Sequence, residues 1–439
     1  MNNSLSAFSG LTKIPELKKR LLFTLIMLAI YRIGVHVPTP GIDGQVLTEI
    51  MNNYKGTLFG VFNMFSGGAF ERMSIFALGI MPYISSSIIF QLLTVVIPYL
   101  ERLSKEGEAG RKKITQYTRY GTIVLSIIQG YGIASGLEVM KGPAGQLVVI
   151  DPGMAFRILT VLTLASGTAF IMWLGEQINE RGIGNGISLI ICAGIVAGFP
   201  ASAMNAIELL RTGELAPLVM LLVIALMVIV VACIIFIERG QRRIPVQYAK
   251  RIIGRKMMGG QSTHLPLKIN TSGVIPAIFA SSLLMFPATL GTFLPDNSIF
   301  QAIQGFLSPG SLGYSIVFLG LIVFFCFFYT AIVFNPVEVA DNMKKSGGYI
   351  PGIRPGRNTS DYIDKVLARV TAGGAAYLGA ICILPTILIY KAKVPFYFGG
   401  TALLIAVGVA LDFVAQIQAH LLTRNYDGFM KKAKLRGRK

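Results

Sequence analysis

Apolar residues along this chain gather into ten blocks, at about 20–37, 75–99, 120–140, 154–174, 187–199, 216–237, 273–294, 312–334, 366–390 and 398–421, separated by charged or Gly/Pro-rich connectors. A bilayer crossing takes about 20 apolar helical residues. The pattern therefore predicts an all-α polytopic membrane protein with ten transmembrane helices. The fifth block is short and rich in Gly and Ala. Ten spans put both termini on one side. They also divide into two five-helix halves, 20–200 and 201–421, flanked by a 1–19 N-terminal segment and a basic 422–439 tail. An odd number of spans per half forces the halves into opposite orientation, so inverted pseudosymmetry follows from the count.

Composition agrees with this reading. The chain is 53% hydrophobic and 14% charged, with a mean hydropathy of +0.63, where a soluble domain carries about a quarter charged residues. Of its 40 Lys and Arg, 32 lie in or beside the N-terminus, the even-numbered connectors and the C-terminal tail, against 7 beside the other connectors. The positive-inside rule then places both termini in the cytoplasm. The start, MNNSLSAFSGLTKIPELKKR, has no short apolar core followed by a cleavage site, so the first span is expected to serve as its own insertion signal. Cys192, Cys233, Cys326 and Cys382 all lie in apolar stretches without metal-site spacing and read as small buried hydrophobes.

The net charge of +19 would suggest nucleic acid on a soluble protein, but here the basic residues sit between apolar blocks. Two connectors hold more of them than orientation needs. Residues 238–272 contain Arg239, Arg242, Arg243, Lys250, Arg251, Arg255 and Lys256, and residues 335–365 contain GGYIPGIRPG, whose Gly/Pro pattern predicts a shaped hairpin tip. Docking of an acidic partner, protein or RNA, and contact with anionic lipid both fit these charges.

Candidate chemistry is sparse. His36, His264 and His420 are far apart, and no HExxH, GxSxG or P-loop pattern occurs. No cofactor or metal is expected, and an intramembrane enzyme lacks a catalytic dyad. ERGIGNGIS reads as a tight reversal between spans four and five. Ion-coupled transport needs ionisable groups at depth. Only Arg32, able to snorkel, and Asp412 qualify, neither with an obvious intramembrane partner. Residues 58–74 mix aromatics with Asn63, Ser66, Gly67, Gly68, Glu71 and Arg72, too polar for a lipid-facing span. They predict a helix re-entering a shielded funnel. Ile80 and Ile84, like Ile187 and Ile191, are spaced to share a helical face.

The stretches MFSGGAFERMSIFALGIMPYISSSIIFQLLTVV, KEGEAGRKKITQYTRYGT, MWLGEQINERGIGNGIS, QSTHLPLKINTSGVIPAIFASS, FFCFFYTAIVFNPVEVADNMKKSGGYIPGIRPG and KVPFYFGGT resemble the SecY family of protein-conducting channels almost end to end. The resemblance implies two inverted five-helix halves around an hourglass pore that passes secretory preproteins across the bacterial plasma membrane and opens sideways for transmembrane segments. Ile80, Ile84, Ile187, Ile191, Ile278 and Ile405 match the family's pore ring. Phe62, Asn63, Met64, Phe65, Ser66, Gly67, Gly68, Ala69, Phe70, Glu71, Arg72, Met73 and Ser74 match its plug, with the Gly67–Gly68 pair allowing displacement. Ser85, Gln91, Asn270, Ser282 and Phe286 match a lateral gate between spans two and three on one side and seven and eight on the other. Arg242, Arg243, Lys250, Arg251, Arg255, Lys256 and Arg354 fall where the family receives the ribosome or the SecA motor. Implied partners are the SecE and SecG small subunits, SecA, the ribosome, signal peptides, nascent chains and anionic lipids. The competing reading from another class is an inverted-repeat secondary transporter for a small solute.

Overall fold

The computed structural model describes residues 15–53, 58–140, 145–213, 216–248, 251–253, 256–258, 262–293, 305–307, 311–392 and 400–436. Every predicted apolar block coincides with a helix. These are α1 (Pro15–Gly34), α4 (Met81–Val96), α6 (Glu108–Val139), α7 (Met154–Arg181), α8 (Gly186–Arg211), α9 (Pro217–Glu238), α10 (Ile275–Phe293), α11 (Leu312–Val333), α13 (Arg357–Ala392) and α14 (Gly400–Arg436). Shorter helices are α2 (Gly44–Asn53), α3 (Leu58–Phe65), α5 (Pro98–Lys105) and α12 (Pro336–Lys345). Among the described residues seven helices are long and apolar enough to cross a membrane, or eight with α4 and α5 counted as one bent span.

Boundaries are where sequence and structure part. The block at 187–199 continues as helix to Arg211, so the fifth span is not short. α6 begins twelve residues before its apolar block because the basic segment GRKKITQYTR winds on as helix beyond the apolar zone. Pro98 breaks the second span at a 100° bend, since a proline supplies no N–H to the preceding turn. The structure also contains strands, which helical periodicity did not suggest.

The chain forms two compact units. The first contains residues 1–208, 282–311 and 409–439, the second 209–281 and 312–408. In the first unit, α6 and α7 pack together. Arg119 Nε donates to Glu176 Oε1 at 2.7 Å near one end, and Arg157 Nε donates to Glu138 Oε2 at 2.9 Å near the other. Leu17, Ile183 and Ile417 form a small core just beyond the C-terminal end of α7. In the second unit, β1 (Gln241–Tyr248) pairs antiparallel with β4 (Ser262–Lys268) and with β5 (Gly348–Tyr349), and a β2 (Arg251–Ile253) and β3 (Lys256–Met258) hairpin lies between β1 and β4 in the chain.

Candidate functional site

The segment after α3 folds back on itself through one asparagine. Asn63 Oδ1 accepts from the Glu71 N–H at 2.9 Å, its Nδ2 donates to Glu71 Oε2 at 3.0 Å, and its carbonyl accepts from the Gly68 N–H at 2.9 Å. Ser66 Oγ donates to the Asn63 carbonyl and accepts from the Phe70 N–H. The turn needs glycine, because Gly67 and Gly68 sit at φ +69° and +84°, where a Cβ is strained. The plug candidates Ser66, Ala69, Phe70, Met73 and Ser74 are buried, whereas Arg72 is exposed. Phe62 lies on α3, with its side chain outside the described residues.

This segment is seated within the first unit. Tyr31 Oη donates to the Ser66 carbonyl at 3.1 Å, and Arg32 Nη1 donates to the Gly67 carbonyl at 2.9 Å. On the α8 side, Gly67 meets Gly194 so closely that a Cβ on Gly67 would lie 2.8 Å from the Gly194 Cα. Its far end pairs with the chain leaving α1. The Thr39 N–H donates to the Met73 carbonyl at 2.9 Å, and the Ile75 N–H to the Val37 carbonyl at 3.0 Å. Phe76 fills the notch at Gly34 and stacks on Tyr31 with ring centroids 6.0 Å apart. Arg32 therefore does have a partner, contrary to the sequence reading. That partner is a backbone carbonyl 35 residues away, which charge pairing cannot reveal.

Of the six isoleucines, four belong to the first unit and two to the second. Ile80 caps α4, and its carbonyl accepts from the Ile84 N–H at 3.1 Å; both side chains are 4% exposed. Ile187 and Ile191 follow the reversal after α7. Asn185 Oδ1 accepts from the N–H groups of Ile187 and Ser188, and Asn179 Oδ1 from that of Gly186 at 2.7 Å. Ile191 is buried and Ile187 half-buried. In the second unit Gly408 of α14 packs on Val274 just before α10. Ile405 and Ile278 lie about one turn from that contact, both buried.

The gate candidates take several roles. Ser282 Oγ donates to the Met81 sulfur at 3.5 Å within the first unit. Ser85 is half-buried, and its neighbour Ser86, which the sequence did not single out, reaches from α4 to the Thr118 carbonyl of α6 at 2.8 Å. Gln91 Nε2 donates to Ser87 Oγ at 3.2 Å while its Oε1 has no hydrogen-bond partner among the described residues. Asn270 Nδ2 donates to Glu238 Oε1 at 2.6 Å and to the Gly273 carbonyl at 2.9 Å, and its Oδ1 accepts from Ser272 Oγ. It ties the end of α9 to the start of α10, across the base of the 238–272 connector. The Phe286 side chain lies outside the described residues.

The two long connectors form one module with its own core of Ile244, Val246, Leu267, Met343, Ile350 and Ile363. Alternation along β1 buries Ile244 and Val246 and leaves Arg243, Pro245 and Gln247 exposed on the other face, while Arg242 is exposed near the start of the strand. Arg354 is exposed on the turn between Gly352 and Gly356, both at positive φ, and its carbonyl accepts from Thr359 Oγ1 at 2.9 Å. Lys250 and Arg255 lie outside the described residues, as do the side chains of Arg251 and Lys256. Among the described residues no cluster of three His, Cys, Asp or Glu side chains is assembled.

In the first unit a polar segment is thus seated among apolar helices, its carbonyls held by two side chains of α1. The SecY family model matches residues 74–414. The chain is 56% identical over 427 residues to the protein translocase subunit SecY of Escherichia coli K12, covering 97% of this chain and 96% of that one. It is 56% identical over 438 residues to the protein of the same description from Vibrio cholerae, at 98% and 97% coverage. Among solved structures it is similar to a protein-conducting channel, with a TM-score of 0.65 and 19% identity over 93% of this chain and 96% of that one. Sec61 in a canine ribosome–channel complex gives a TM-score of 0.62 at 19% identity, over 93% and 96%. The chain belongs to the SecY family, a multi-pass membrane protein and translocase subunit rather than an enzyme.

Proposed function

We propose that this chain is the central subunit of a passive protein-conducting channel, moving unfolded preproteins across a bacterial plasma membrane and releasing transmembrane segments sideways. The observation that carries this reading is the 62–74 plug, a polar segment held by bonds from Tyr31 and Arg32 to its backbone. Backbone bonds and a Gly–Gly contact bind a shape without filling a solute pocket, as a removable stopper requires. Ile80, Ile84, Ile187, Ile191, Ile278 and Ile405 form the ring, where branched apolar side chains exclude water and ions by dewetting yet part around a passing chain. Ser85, Gln91, Asn270, Ser282 and Phe286 line the gate, where interhelical hydrogen bonds averaging below about 1 kcal/mol let helices separate.

Energy comes from a partner. Arg242, Arg243, Lys250, Arg251, Arg255, Lys256 and Arg354 receive the SecA motor or the ribosome, whose RNA phosphates attract Lys and Arg in a salt-sensitive way. SecE and SecG complete the complex, and anionic lipid surrounds its basic face. Both termini are cytoplasmic, by the positive-inside bias. The halves 20–200 and 201–421 are the inverted repeat.

The test is reconstitution of the chain with the small subunits in proteoliposomes with the motor and ATP. Protease-protected secretory precursor is the expected result. Saturable uptake of a small solute without precursor import would favour the transporter instead.

A further inference from the structure

Arg32 is an arginine in the first span whose guanidinium turns to the plug and donates to the Gly67 carbonyl at 2.9 Å. Beside it Tyr31, 1% exposed, donates to the preceding carbonyl, that of Ser66, at 3.1 Å. The two acceptors are consecutive peptide groups at the apex of the plug, next to the residue that touches Gly194. The donors are consecutive as well, and both are held. Tyr31 is clamped by its stack on Phe76, which occupies the Gly34 notch. The Arg32 carbonyl is engaged by His36 Nδ1 at 2.9 Å. Both bonds end on backbone carbonyls of the plug.

We infer that Tyr31 and Arg32 form a two-pronged latch whose hydrogen bonds to the Ser66 and Gly67 carbonyls set how often the idle channel opens and how strong a signal peptide must be to open it. This rests on the plug reading above. A hydrogen bond from a charged donor outweighs a neutral one, so Arg32 is the main prong. Both prongs are positioning residues: they act on the plug and need not touch the translocating chain.

The physical consequence is directional. Loosening the latch favours the open state before any substrate arrives, so ion leak rises and signal peptides of low hydrophobicity gain export relative to strong ones. A residue that merely supports folding would lower both kinds of export together.

The experiment compares wild type, Arg32→Met, Arg32→Lys, Tyr31→Phe and a variant lacking residues 62–74, each reconstituted with its small subunits. It reads idle ion conductance and the export ratio of weak to strong signal peptides. Arg32→Met is expected to raise the open-plug population about tenfold or more, and Tyr31→Phe about fivefold. Arg32→Lys, which keeps a charged donor, should restore most of the seal. Conductance and ratio unchanged in both Arg32→Met and Tyr31→Phe, while the deletion leaks, would overturn the latch and leave the plug reading standing. An unchanged deletion variant would overturn the plug reading and the latch with it. If Arg32→Met fails to assemble, the near-isosteric Tyr31→Phe decides by the same two readings.

Discussion

Gly67 and Gly194 meet backbone to backbone: a Cβ on Gly194 would lie 3.3 Å from the Gly67 Cα, and one on Gly67 would lie 2.8 Å from the Gly194 Cα. Two residues far apart in sequence share one demand for glycine, the seating of the 62–74 segment on α8. At Gly67 the positive φ adds a second reason, since a left-handed conformation costs an ordinary residue about 1–2 kcal/mol. Gly194→Val is expected to lift the plug and raise idle conductance in planar bilayers. Gly67→Ala should raise the open population roughly tenfold from strain alone. A tight seal in Gly194→Val would mean that this contact does not hold the plug.

The plug's internal fold depends on the Asn63–Glu71 exchange, in which the amide both donates to the carboxylate and accepts from the Glu71 N–H. Asn63→Asp replaces the donor by a second carboxylate facing the first. Unfolding of the turn and increased leak should follow. Glu71→Gln in the same chain restores a donor and should recover about 1–2 kcal/mol of coupling in a double-mutant cycle. Additive effects would show that the pair does not organise the plug.

Asn270 makes three hydrogen bonds at the base of the connector module. Asn270→Ala is expected to destabilise the purified complex by about 1–3 kcal/mol, read as lower resistance to thermal unfolding in detergent. Equal stability would mean that these bonds do not hold the module in place.

Arg354 is exposed on a turn fixed by Gly352 and Gly356, so its charge can change without loss of fold. Arg354→Glu should abolish most motor-driven export while the protein inserts and assembles normally. Unchanged export in proteoliposomes would remove Arg354 from the docking surface.

The ten helices could be read in the sequence because their apolar blocks exceed what connectors carry. Their ends could not, because helices such as α6 and α13 run on past the apolar zone through polar residues. The strands were missed because β1 buries only Ile244 and Val246 and shares its core with a distant connector, Ile350 and Ile363 included. The 62–74 segment was legible as too polar for lipid. Its seat was not: Tyr31 and Arg32 act on carbonyls, which every residue has, and Gly194 is one small residue among many in a Gly/Ala-rich helix. Arg32 nevertheless gave the available signal, a charge in a span that needed a partner. The Ser86 bond to the Thr118 carbonyl was not legible either, because its acceptor too is a backbone carbonyl.

Passage of polypeptide through the isoleucine ring can be read with a photocrosslinking probe at Ile191. A secretory precursor stalled in membranes containing the motor and the small subunits should give an adduct at position 191 and none at Leu162, which is exposed on α7. An assembled complex with engaged precursor and no adduct at position 191 would contradict the account.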